Sequence, residues 1–174
     1  MPSGDTKPRK EPQQARSREL VRAVVQAAAR VFEREGLDAT TNRIAKEAGV
    51  SIGSLYQYFP NKEALLHALA AEHLAEGTAL LRATVAELSD APSLRSVVAG
   101  LVTTMVRAHA ATPRVHDVFH QLAHTTPAFA SSLRDLERWL AGELEGHLRR
   151  LRPELAHPER RARLASVTLI SVVH

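Results

Sequence analysis

Apolar residues spaced three and four apart run through most of the chain, and prolines and glycines divide them into segments. Such spacing builds one buried stripe on a helix, while proline is disfavoured in a helix interior. A first helix is predicted over residues 17–35, with Leu20, Val21, Val24, Val25, Ala28, Val31 and Phe32 inward and Gly36 ending it. Two short helices precede Pro60. After Asn61, a good N-cap, a long helix extends through Leu65, Leu69, Leu74, Leu81, Val85 and Leu88 towards Pro92, with Gly77 as a point of bending or division. Between Pro92 and Pro113 the positions Leu94, Val97, Val98, Leu101, Val102, Met105 and Val106 keep helical spacing and predict burial along one side. A shorter helix carries Val115, Val118, Phe119 and Leu122, and residues 127–152 carry the stripe Phe129, Leu133, Leu136, Leu140, Leu144, Leu148 and Leu151. A last helix starts near Pro158. No alternation of strand type competes, and no repeat is visible. The expected fold class is all-α: a small N-terminal three-helix bundle followed by a larger helical body.

Charge adds an asymmetry to this picture. The net charge is +4, and residues 1–62 hold all of it, with eleven Lys or Arg against seven Asp or Glu; the remainder is balanced. Much of the excess lies in Lys7, Arg9, Lys10, Arg16, Arg18 and Arg22, which suits either an acidic partner or a solubilising tail. Cysteine is absent, which excludes disulfides and thiolate metal sites and fits a reducing, cytoplasmic setting. Residues 1–14 are polar and Pro-rich rather than a signal core, and the apolar runs fall well short of the ~20 residues a membrane helix needs.

The stretch over residues 41–59, TNRIAKEAGVSIGSLYQYF, meets the spatial demands of a helix-turn-helix. Ile44 and Ala48 face the local core, and Ala45 is small where the second helix crosses. Gly49 supplies a positive φ that lets two helices meet steeply. Val50 plugs the corner, Ser51 caps the next helix, and Leu55 and Tyr58 pack back on the bundle. The side chains left outward by this arrangement are Ser51, Ile52, Gly53, Ser54 and Gln57, on a helix of the kind that enters a major groove. Gln57 suits paired hydrogen bonds to adenine, Ile52 a thymine methyl, and Gly53 a close backbone approach.

The pattern IAxxAGVSxGSLYxYFxNKExLL, read from Ile44 to Leu66, with Ala39-Thr40-Thr41 and Phe32-Glu33-Arg34-Glu35-Gly36 before it, resembles the TetR family of transcriptional regulators. The resemblance covers roughly residues 17–76 and implies a flexible basic arm over 1–16, a DNA-binding domain over 17–76 with the helix-turn-helix at about 40–59, and an effector-binding and dimerisation domain over 77–174. It implies that Thr41, Tyr56, Tyr58 and Lys62 clamp phosphates, with Asn42 reaching a base or the backbone. Of these, Tyr58 competes with the core for its ring. The expected function is a cytoplasmic homodimeric repressor that binds a palindromic operator in double-stranded DNA and is released by a small-molecule effector. No membrane, cofactor, metal site or catalytic residue is assigned.

Leu101, Met105, His109, Phe119, His120 and Trp139 interrupt aliphatic stripes with polar or polarisable groups, and are candidate walls of an effector pocket or ordinary core. His116, His120 and His124 recur every four residues. The outer two stand ~12 Å apart along the axis, so at most an adjacent pair could share an ion, with a third ligand from elsewhere. A lining of the effector pocket and a solvated flank are the other readings of this row. The end, Leu164, Val167, Leu169, Ile170, Val172 and Val173, is apolar up to His174. Members of the family continue through one more helix, so the expectation is a shortened chain, or dimerisation by residues 129–151 and the last helix without that neighbour. Gly142 and Gly146 would permit close helix contact.

Two rivals come from other classes. An enzyme finds no Gly-x-Ser-x-Gly turn, phosphate-cradling glycine loop or His-Glu-x-x-His pair in the chain. A helical binding or scaffold module that has kept the helix-turn-helix shape without effector control differs from a regulator in showing no DNA sequence preference.

Overall fold

The computed structural model describes residues 15–110 and 113–171, without the side chains of residues 15, 16, 120, 121 and 123–125. The described residues form eight α-helices and a 3-10 turn, with no strand among them, so the all-α expectation holds. None of these helices is long and apolar enough to cross a membrane. Most of the basic arm lies outside the described residues, as do Val172 and Val173.

The chain divides into two compact units, Met1–His73 and Leu74–His174. The first contains α1 (Ala15–Glu35), the 3-10 turn Gly36–Asp38, α2 (Thr41–Ala48), α3 (Ile52–Tyr58) and the opening of α4 (Lys62–Glu87). Its core is the expected stripe of α1, Val24, Val25, Ala28, Val31 and Phe32, with Ile44, Ala45, Leu55, Phe59, Leu65 and Leu66, all buried. Leu20 and Val21 are half-buried. α4 begins where expected, because the Asn61 carboxamide accepts from the Ala64 N–H at 2.8 Å and satisfies a donor that the first turn leaves open. Gly77 neither ends nor divides α4, which is assigned as one helix throughout. A single glycine costs a helix only about 1 kcal/mol relative to alanine, too little to break 26 residues.

The second unit continues α4 and adds α5 (Leu94–Ala110), α6 (Pro113–Thr125), α7 (Pro127–Leu151) and α8 (Pro158–Ser171). α5 packs on α6 and α7, α6 on α7, and α7 most extensively on α8. The α5 stripe is narrower than its periodicity suggests. Val97, Leu101 and Met105 are buried, whereas Val98, Val102 and Val106 are 46%, 41% and 57% exposed. One row of the stripe meets the core of this chain; the adjacent row, one residue on, does not. α7 buries Phe129, Leu133, Leu136, Leu140 and Leu144, after which His147 takes the inward position and Leu148 and Leu151 are half-buried. Arg150 donates both to the Ala91 carbonyl at 3.0 Å and to His147 Nδ1 at 3.3 Å, tying the turn after α4 to α7. Burial, with the Arg150 charge beside it, pushes His147 below the ordinary imidazole range. α8 turns Ala162, Ser166 and Ile170 inward at four-residue spacing, and the Ser166 hydroxyl donates to the Arg163 carbonyl. A Cβ built at Gly142 or Gly146 meets nothing within 4 Å, so no contact within the described chain uses their lack of a side chain.

Candidate nucleic-acid interface

The helix-turn-helix is assembled by local capping. α2 starts at Thr40, whose hydroxyl accepts from the Arg43 N–H at 3.3 Å, and ends at Gly49, whose φ of 69° and ψ of 26° lie in the left-handed region. There the Val50 N–H reaches the Ala45 carbonyl at 3.0 Å and the Gly49 N–H reaches Lys46 at 3.2 Å, the paired bonds of a Schellman end. Ser51 then caps α3, accepting from the Ser54 N–H at 3.0 Å and sharing a hydroxyl contact with Ser54 at 2.8 Å. Replacing Ser51 with alanine removes that cap, and a loss of about 1 kcal/mol in urea unfolding is expected.

Leu55 and Tyr58 hold α3 against the bundle. Tyr58, expected both to pack on the bundle and to act as a clamp, is 8% exposed. Residues 55 and 58, three apart, share one helix face, so the Tyr58 ring belongs to the core face, whereas Tyr56 lies across the helix from it and is 41% exposed. The other candidates lie at the surface. Asn42, Ser51, Ile52, Gly53, Tyr56 and Gln57 are exposed, and Thr41, Ser54 and Lys62 are half-buried. A Cβ at Gly53 would meet only the Ser51 hydroxyl, at an ordinary 3.8 Å, so the fold itself does not require glycine there.

Two candidates already act together. The Thr41 and Tyr56 hydroxyls are 3.0 Å apart, which joins the start of α2 to the middle of α3 and places two hydroxyls side by side. Lys62 Nζ donates to the Leu37 carbonyl at 2.8 Å and keeps two further N–H donors. The 3-10 turn is thus anchored to the start of α4.

The sequence reading missed a set of charges that orients α2 on α1. Glu47 accepts from Arg30 at 2.8 Å and from Arg34 at 2.9 Å, and Arg43 donates to Glu35 at 2.7 Å. The hydrogen bonds from Arg30 and then Arg34 hold the Glu47 carboxyl below the usual range. Arg30 and Arg34 share a face of α1 at four-residue spacing, but nothing in that spacing names a partner 13 or 17 residues away.

In the second unit, Leu101, Met105 and Phe119 are core, His109 is half-buried, and Trp139 lies under the Arg82 guanidinium, 4.4 Å from the ring centroid. Phe119 meets Phe129 at 6.2 Å. Trp139, ten residues beyond Phe129 on α7, is displaced by about 15 Å along the axis and does not join that aromatic group. The side chains of His120 and His124 lie outside the described residues.

This geometry defines a helix-turn-helix module of a regulator rather than a catalytic centre. The model of bacterial regulatory proteins of the tetR family matches residues 24–69, and that of the tetracyclin repressor-like C-terminal domain matches residues 93–174. The chain belongs to the TetR family, whose members are transcription regulators and not enzymes, and its N-terminal domain is the DNA-binding one. No curated protein matches the chain at a significant level. Among solved structures, a TetR-family regulator from Mesorhizobium loti is similar at a TM-score of 0.65 and 20% identity, over 92% of this chain and 86% of that one. The fatty acid degradation regulator FadR from Bacillus halodurans is similar at 0.65 and 23%, over 94% and 84%. SmeT, repressor of the Stenotrophomonas maltophilia efflux pump SmeDEF, follows at 0.56 and 22%, over 88% and 76%. These likenesses concern the fold.

Proposed function

We propose that the chain is a cytoplasmic, homodimeric repressor that reads a palindromic operator through α3 and is released from it by a small-molecule effector. The observation that carries the DNA reading is the division of α3 into two faces. Leu55 and Tyr58 are buried, while Ile52, Gly53 and Gln57 are exposed in a helix capped by Ser51 and tilted by the Gly49 elbow. An outer edge that no packing requires is available to base edges, where Gln57 suits adenine and Ile52 a thymine methyl. The tolerance of the fold for a side chain at Gly53 favours an external reason for its absence, a close backbone approach. Asn42, Ser51 and Ser54 complete the reading edge, and Thr41, Tyr56 and Lys62 act as phosphate clamps.

In this reading residues 1–16 are an arm that adds salt-sensitive attraction, residues 17–76 bind DNA, and residues 77–174 dimerise and bind the effector. Two reading helices must then sit about one DNA turn apart, ~34 Å, and an effector that changes their separation changes affinity. Leu101, Met105, His109, Phe119, His120 and Trp139 are the proposed pocket walls. Repression by occupying the operator is the form taken here, as SmeT, of the same fold, is named a repressor.

Selection of bound fragments from a random duplex pool checks the proposal, with a palindrome of defined half-site spacing expected. Equal competition by random and selected duplex would instead mark a scaffold that kept only the shape. On the selected site, Lys62→Ala should weaken binding to all sequences and lower the salt slope by about 1, whereas Gln57→Ala should relax preference at one position. An unchanged salt slope would remove Lys62 from the clamp, leaving its bond to Leu37 as its role.

A further inference from the structure

Two histidines meet where α5 gives way to α6. His109 stands in the last turn of α5 and His116 in the first turn of α6, with ring centroids 4.0 Å apart and planes tilted by 34°. His116 is buried and His109 half-buried. Each ring has a fixed neighbour. His109 Nδ1 lies 2.7 Å from the Met105 carbonyl oxygen. A carbonyl only accepts, so Nδ1 carries the proton and the lone pair resides on Nε2. This is the arrangement in which a backbone carbonyl sets the tautomer of a metal-ligating histidine. The His116 ring meets the Phe119 ring in an edge contact, centroids 5.9 Å apart at 87°.

We propose that His109 and His116 chelate one divalent transition-metal ion, Zn2+ or Ni2+, through one ring nitrogen each. Imidazole suits these ions, and nitrogens of the two side chains lie within 4.8 Å of one another. Two nitrogens on a tetrahedral zinc, at bonds of about 2.05 Å, stand about 3.3 Å apart. Closure by about 1.5 Å or less completes the chelate, with water or a further donor in the remaining positions. Both rings must be neutral to ligate. The partner proposed for His116 is thereby a residue of the preceding helix. This inference is independent of the DNA-binding reading.

Equilibrium dialysis of the full chain, stripped with EDTA and returned to Zn2+ or Ni2+ alone, decides it. One retained equivalent at micromolar metal is expected, weakened at least tenfold by His109→Gln and by His116→Gln. His157→Asn, at an exposed histidine, should retain the ion. Circular dichroism verifies folding, and if His116→Gln unfolds, His109→Gln at the end of α5 still decides the matter. Co2+ substitution should produce ligand-field absorption that both glutamine variants lose. No retained metal in the parent chain, or equal retention by the His109→Gln/His116→Gln double variant, would overturn the proposal and leave the pair as stacked packing.

Discussion

Phe32→Ala is expected to lower the stability of the first unit, the DNA-binding half, by about 3–5 kcal/mol. Phe32 is fully buried in α1, in a core shared with Phe59 and with smaller side chains such as Val24, Ala28 and Val31, with Ile44 and Leu55 from the next two helices. Deleting a ring from a small bundle forfeits its transfer free energy and leaves a cavity that short helices fill only partly. Against a typical domain stability of about 5–15 kcal/mol, the loss is a large fraction of the whole. Urea unfolding followed at the helical signal should show a lower midpoint with an unchanged slope. α1 also carries Arg30 and Arg34 to Glu47, so a loosened α1 should release α2 and reduce DNA binding in parallel. Leu37→Ala, at an exposed position in the 3-10 turn, serves as the comparison and should stay within about 0.5 kcal/mol. Similar effects from the two substitutions would mean that Phe32 does not anchor this core.

The contrast between these positions separates what the sequence makes legible from what packing decides. Caps act through residues three or four apart, so Ser51, Asn61 and Gly49 mark helix ends in the sequence, and the structure uses each of them. Stripes act through a whole face, and their width is ambiguous. The periodicity of α5 admits Val98, Val102 and Val106 as readily as Val97, Leu101 and Met105, and only the position of the neighbouring helices buries one row and not the other. Tyr56 and Tyr58 show the same limit at single residues. Both carry an apolar ring and a polar tip, so either serves as core or clamp by chemistry, and the orientation of α3 decides that Tyr58 goes inward. Pairings across helices were least legible. Glu47 meets arginines on another helix, and His116 meets His109 across a helix junction, pairings that no spacing along one helix names. The candidate reading edge was legible because it is a residue of subtraction: once Leu55 is assigned inward, Ile52, Gly53 and Gln57 are left outside.

At the elbow itself, Gly49→Val is expected to cost about 2–3 kcal/mol, Gly49→Ala about 1 kcal/mol, and Gly49→Asn the least. A Cβ added at Gly49 meets nothing within 4 Å, so the alanine variant has room in the fold. The backbone cost throughout the series is that of holding an L-residue at φ 69°, ψ 26°, where asparagine is tolerated and a β-branched side chain is not. A backbone that escapes this strain must give up the Val50 to Ala45 and Gly49 to Lys46 hydrogen bonds, and with them the angle at which α3 leaves α2. The same order should therefore appear twice, in the unfolding midpoint and, under the proposed function, in affinity for the selected operator. The affinity loss for Gly49→Val should exceed its stability loss, because a folded domain with a misdirected α3 still fails to bring Ile52 and Gln57 to the groove. A valine variant as stable as the parent would show that the turn finds another conformation at no cost, and the elbow would then not set the tilt of the reading helix.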